Sequence, residues 1–81
     1  MDDRRRYDLA KSRLKAMGEG TAQQVHESMN EESQRACSIR DVENTLDELV
    51  INEKEEFTKT GDVYRWTKHY RFREAPETHA N

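Results

Sequence analysis

The chain has 81 residues, of which 32% are hydrophobic and 38% are charged. This length provides one domain with one small core. No apolar run approaches the roughly 18 residues of a membrane-spanning helix, so no membrane partner is expected. Cys37 is the only cysteine, which excludes a disulfide within these residues and fits a reducing compartment. We therefore expect a cytoplasmic protein, associated with the nucleoid or, if viral, located in the host cytoplasm.

The net charge of −3 is distributed unevenly along the chain. Residues 1–15 carry six basic and three acidic side chains (+3), and residues 16–58 carry three basic and eleven acidic ones (−8). Residues 59–81 carry five basic and three acidic side chains (+2). Such a separation can generate a polar field that steers a charged partner to one surface.

A first helix is predicted over residues 3–17. Its apolar residues recur on one helical face: Tyr7, Ala10, Leu14 and Met17. Gly18 is a typical residue at which a helix stops. Residues 18–20 are then expected to form a short turn.

A second helix is predicted over residues 21–30, because Thr21 and Gln24 have the spacing of a capping box. The polar segment 31–37 has no clear apolar period. We expect it to be a loop, in which one helical turn can form, and therefore a longer connection than a tight helix-turn-helix turn.

The strongest helical pattern covers residues 38–50. Its apolar residues share one face: Ile39, Val42, Leu46, Leu49 and Val50. Ser38 is the expected N-cap, with Asp41 three residues later in a capping box. The opposite face carries polar residues that point away from the core: Arg40, Asn44, Asp47 and Glu48.

A β-hairpin is predicted after this helix, with strands in 55–60 and 63–72 joined by a turn at Gly61 and Asp62. The second run alternates aromatic and polar residues through Tyr64, Trp66, Tyr70 and Phe72. Residues 74–81 are polar and are expected to form a flexible tail. The predicted fold class is α+β, with one domain over 1–73 that has three helices followed by a hairpin.

This order of elements resembles the winged helix-turn-helix DNA-binding superfamily. The resemblance covers residues 4–68 and is carried by three stretches: SRLKAMGEGTAQQVHESM, SIRDVENTLDELV and FTKTGDVYRW. It implies that the third helix lies in the major groove of duplex DNA and that the hairpin wing contacts the backbone or the minor groove.

The resemblance also assigns candidate DNA-binding residues. Arg40 and Asn44 would face the groove, where arginine can bind guanine and asparagine can bind adenine. Ser38 lies at the start of the same helix, and Lys59 and Thr60 at the wing tip. Three further candidates could neutralise phosphates as an N-terminal arm: Arg4, Arg5 and Arg6. Taken alone, each of these residues also fits an ordinary solvated surface.

Two functions follow. The first is a sequence-specific, DNA-binding transcriptional regulator that acts as a homodimer, since one small domain contacts few base pairs. The second is a protein-interaction winged helix whose acidic face binds a basic partner or mimics DNA. The second is favoured by four acids of the third helix that would repel phosphates: Asp41, Glu43, Asp47 and Glu48.

No enzymatic activity, cofactor or metal is predicted. His26, Cys37 and His69 do not have the spacing of a metal-ligand motif. The chain also lacks a glycine-rich phosphate loop and any motif that pairs a nucleophile with a base.

Overall fold

The computed structural model describes residues 1–68, in which the helices and the hairpin follow one another as an α+β fold. The elements are α1 (Asp3–Met17), β1 (Glu19–Thr21), α2 (Ala22–Glu27), α3 (Glu31–Ala36), α4 (Ile39–Asn52), β2 (Phe57–Thr60) and β3 (Val63–Trp66). The strands form an antiparallel sheet in the order β1-β3-β2. This layout is winged-helix-like, as expected, although these residues contain four helices rather than three.

The core forms where the apolar face of α4 packs on α1, α2 and the hairpin. Fully buried side chains come from each of these elements: Leu14, Val25, Val42, Leu46, Leu49, Phe57 and Tyr64. The predicted start of α4 is confirmed. The Ser38 hydroxyl accepts a hydrogen bond from the Asp41 N–H at 3.0 Å, and the Asp41 carboxylate accepts one from the Ser38 N–H at 3.0 Å.

The predicted turn over 18–20 is wrong in part, because Glu19–Thr21 is the third strand of the sheet. Gly18 does end α1, with a φ of 85°, but Gly20 then pairs with Tyr64 of β3. A Cβ on Gly20 would lie 2.8 Å from the Cε of Met17, the far end of a flexible side chain that would have to shift to make room.

The predicted loop over 31–37 is also wrong, because six of its residues form α3. The preceding helix ends at Glu27 instead of residue 30, and Asn30 is the N-cap of α3, accepting a hydrogen bond from the Ser33 N–H at 2.8 Å. No residue of α3 is buried, which explains why the segment has no apolar period. His26 holds this region to α2, since its Nε2 lies 2.8 Å from the Cys37 carbonyl oxygen.

The hairpin is confirmed with shorter strands than predicted. Thr60 pairs with Val63, and Gly61 between them has a φ of 63°, as the first central residue of a type II′ hairpin turn requires. The run predicted over 63–72 leaves the sheet at Trp66. Its remainder from residue 69, the domain end at 73 and the tail 74–81 lie outside the described residues. No helix within 1–68 is both long and apolar enough to cross a membrane.

Candidate nucleic-acid interface

The outer face of α4 presents Arg40 and Asn44 to solvent. Both side chains are exposed, and they lie four residues apart, about one helical turn. The opposite side of the helix is buried through Val42, Leu46 and Leu49. Neither Arg40 nor Asn44 forms a side-chain hydrogen bond or an ion pair within residues 1–68. Their guanidinium and amide groups are therefore available to an external partner.

Two of the four acids on α4 are engaged inside the protein. Asp41 belongs to the capping box, and the hydrogen bond from the Ser38 N–H lowers the pKa of its carboxyl. Asp47 accepts from the Tyr64 hydroxyl at 2.5 Å and from Lys59 Nζ at 2.9 Å. The hydrogen bond from Tyr64 is the main cause of the lowered pKa of Asp47.

The other two acids, Glu43 and Glu48, are exposed and form no ion pair within the described part of the chain. At 3.6 residues per turn they lie on either side of the stripe that contains Arg40 and Asn44. The outer face of α4 thus presents the hydrogen-bond donors of Arg40 and Asn44, flanked by the free carboxylates of Glu43 and Glu48.

The hairpin of β2 and β3, residues 57–66, is called the wing below. It is fixed to α4 through Tyr64 and Lys59. Tyr64 is 1% exposed, and its burial raises the pKa of its hydroxyl to about 12. Lys59 Nζ lies 5.0 Å from the centre of the Tyr64 ring, and the hydrogen bond to Asp47 raises the pKa of this ammonium. Lys59 is therefore held beside α4, whereas Thr60 is exposed next to the turn.

A shallow groove of about 590 Å³ separates α1 from α4. Arg4 and Arg6 line it from α1, and Asn44 lines it from α4. The Arg4 side chain is 90% exposed and pairs loosely with Asp8 at 3.7 Å. The structure therefore brings Arg4 and Asn44 to one groove.

The three candidate arginines of α1 differ in their surroundings. Arg6 is engaged, since its guanidinium lies 2.6 Å from the Asp3 carboxylate and its Nε donates to the Thr45 hydroxyl at 3.2 Å. The Arg6 side chain is only 20% exposed. Arg5 is exposed on α1. Arg6 therefore joins α1 to α4, and Arg4 and Arg5 remain available as phosphate contacts.

A second internal network holds α1 to the end of α4. Glu53 accepts from the Tyr7 hydroxyl and from Lys11 Nζ, each at 2.7 Å. The bond from Lys11 is the main cause of the lowered pKa of Glu53. These partners are 42 and 46 residues from Glu53. No local pattern in the sequence indicates such a contact.

No group of three or more histidine, cysteine or acidic side chains within residues 1–68 could hold a metal ion. His26 and Cys37 meet through a backbone carbonyl, and His69 lies outside these residues. Comparison with known proteins finds no matching family model, curated protein or solved structure.

Proposed function

We propose that the chain binds duplex DNA as a winged-helix transcriptional regulator. The observation that carries this proposal is the exposed, unpaired pair of Arg40 and Asn44 on the outer face of α4. An arginine can donate to O6 and N7 of guanine, and an asparagine amide can bond N6 and N7 of adenine. The wing stands beside this helix, with Thr60 at its exposed tip.

The internal contacts of α4 reduce the electrostatic objection to DNA binding. Asp41 and Asp47 are each satisfied by donors of the same chain, so two uncompensated acids remain, Glu43 and Glu48. Few free cations lie near the face, because Lys59 and Arg6 are paired. We expect binding in which base contacts contribute more, and phosphate contacts less, than in a strongly basic protein.

A homodimer would double a small contact area, and we include it in the proposal. Measurement of the mass in solution, with and without duplex, tests it. The expected result is a mass of two chains per duplex, and a single chain per duplex would contradict the dimer.

Selection from a pool of random duplexes, followed by fluorescence anisotropy on the enriched sequence, tests DNA binding itself. Arg40→Ala and Asn44→Ala should each weaken binding to that sequence by about 1–3 kcal/mol. Arg35→Ala is the matched control, because Arg35 is an exposed arginine on α3. Enrichment of no sequence, or equal losses in all three variants, would contradict the proposal.

A protein-binding function is the second candidate. It is favoured by the two free acids of α4 and by Ile51 on the same outer face, which is 75% exposed. An apolar side chain among carboxylates suits a partner that is basic and partly apolar. Under this proposal the outer face of α4 binds protein instead of DNA.

A further inference from the structure

Asp47 is the residue at which α4 and the wing meet. Its Oδ1 accepts hydrogen bonds from the Tyr64 hydroxyl at 2.5 Å and from Lys59 Nζ at 2.9 Å. Lys59 also lies over the Tyr64 ring. The three side chains therefore form one unit, which we call the wing clasp.

The wing clasp differs from an ordinary surface ion pair. Exposed pairs are weak, because two flexible side chains must be ordered in water. Here the carboxylate is held by the hydroxyl of a buried tyrosine, and the ammonium also contacts the face of the ring. The Lys59 side chain is 36% exposed, so it reaches the wing surface while its charge stays compensated by Asp47.

The pairing of Lys59 with Asp47 affects phosphate contacts and base contacts with DNA differently. Sequence-independent binding comes from cations that neutralise phosphates and release counterions. Sequence-specific binding depends on contacts with base edges, which the proposed function assigns to Arg40 and Asn44. Withholding one wing cation from phosphates removes one contact of the first kind, whereas the base contacts of Arg40 and Asn44 do not depend on it.

Resting on the proposed function, we propose that Asp47 is a specificity-determining residue. It forms an ion pair with Lys59 within the protein, and this pair limits the attraction of the wing for DNA of any sequence. The ratio of specific to non-specific affinity is then higher than it would be with a free lysine.

Asp47→Asn tests this proposal. The asparagine Oδ1 can still accept from the Tyr64 hydroxyl, but the charge that attracts Lys59 is gone. Affinity for a mixed-sequence duplex is measured between about 50 and 200 mM salt. One additional phosphate contact should steepen the slope of log K against log salt by about 0.9, which is about eightfold in affinity at 0.1 M salt.

Lys59→Met identifies the cation responsible. In the Asp47→Asn background it should restore the parent slope, whereas in the parent it should flatten the slope by less than half of 0.9. Glu48→Gln is the matched control. It removes a neighbouring carboxylate from the same helix without releasing a lysine, so the slope should not steepen.

The emission and urea midpoint of Trp66, the only tryptophan, report whether each variant is folded. If Asp47→Asn does not fold, Tyr64→Phe is the second variant. It removes the donor that fixes the carboxylate and should steepen the slope in the same direction by a smaller amount.

The possible failures are distinguishable. An unchanged slope in a folded Asp47→Asn variant would overturn the inference and leave DNA binding intact. A flattening of the parent slope by the full 0.9 in Lys59→Met would do the same, because Lys59 would then already contact a phosphate. If neither the parent nor Asp47→Asn binds duplex at about 50 mM salt, the proposed function fails and the inference fails with it.

Discussion

Ser38 is both the N-cap of α4 and a candidate DNA-binding residue. Its position at the start of α4 made it a candidate DNA contact, but its hydroxyl oxygen accepts from the Asp41 N–H. Ser38→Ala should lower the free energy of unfolding by about 1 kcal/mol, because a free amide of the first turn loses its partner. Urea titration followed by Trp66 fluorescence measures this change. Ser12→Ala, at an exposed position in the middle of α1, should have little effect, and equal losses in both variants would contradict the assignment.

Asp47 and Glu53 make the free energy of unfolding depend on pH in the acidic range. The pKa of each carboxyl is lowered by its donors, so both bind fewer protons in the folded state than in the unfolded state. Their stabilisation is present above the ordinary carboxyl pKa of about 4 and is lost as the pH falls through the lowered values. The free energy of unfolding should therefore decrease below about pH 4.

Asp47→Asn and Glu53→Gln should each flatten this decrease, as urea titrations at a series of pH values would show. Glu32→Gln is the control, since this exposed carboxyl on α3 forms no ion pair within residues 1–68. A parent stability that is independent of pH down to about pH 3 would contradict the linkage.

Among single residues, the sequence predicted the local contacts and not the distant ones. Both capping boxes join residues three positions apart, so their spacing is visible in the chain. The partners of Asp47 and Glu53 come from other elements, 12 to 46 residues away. This is why Lys59 is predicted to be a free cation and is instead paired with Asp47. Arg6 is paired locally, with Asp3, and only its contact with Thr45 is distant in sequence.

The two elements that the sequence did not predict, β1 and α3, have no apolar pattern of their own. A strand of three residues, β1, has no pattern of its own and forms because β3 offers it a partner. The short helix α3 buries nothing, so it lacks the apolar period by which α1 and α4 were recognised. Its remaining signals were Asn30 as N-cap and the acids Glu31 and Glu32 in its first turn.

The turn of the wing depends on Gly61. Its φ of 63° is unfavourable for residues with a Cβ, although no atom lies within 4 Å of where that Cβ would be. Gly61→Ala should therefore cost about 1 kcal/mol through backbone strain alone. Gly61→Asn should cost less, because asparagine tolerates positive φ. Thermal unfolding compares the variants, and equal stability of all three proteins would show that the turn does not need this conformation.

Across the whole molecule, the described contacts compensate many charges that the sequence shows only as a basic end and an acidic middle. Lys11 of the basic segment pairs with Glu53 of the acidic one, and Arg65 of the sheet pairs with Glu19. Segment totals of +3 and −8 therefore overstate the field that an approaching partner would meet. What remains on the outer face of α4 is one free arginine between two free glutamates.

The two proposed functions predict opposite responses to a charge reversal on this face. Glu43→Lys with Glu48→Lys changes the net charge from −3 to +1, and neither side chain is part of the wing clasp, which Glu43 meets only through its carbonyl oxygen, 3.5 Å from the Tyr64 hydroxyl. Under the DNA proposal, two new cations beside Arg40 should strengthen duplex binding and steepen the salt slope by up to about 1.8. Under the protein-binding proposal, the same variant should lose affinity for a lysine-rich probe peptide that the parent binds.

A control with the same net charge separates position from total charge. Glu27→Lys with Glu32→Lys places the two reversals on exposed residues of α2 and α3, away from the outer face of α4. If duplex affinity rises equally in both double variants, attraction is non-specific and α4 is not the DNA-binding face. If it rises only with the changes on α4, the reversed carboxylates lie within the bound interface, because screening limits their influence on phosphates to about 10 Å at 0.1 M salt.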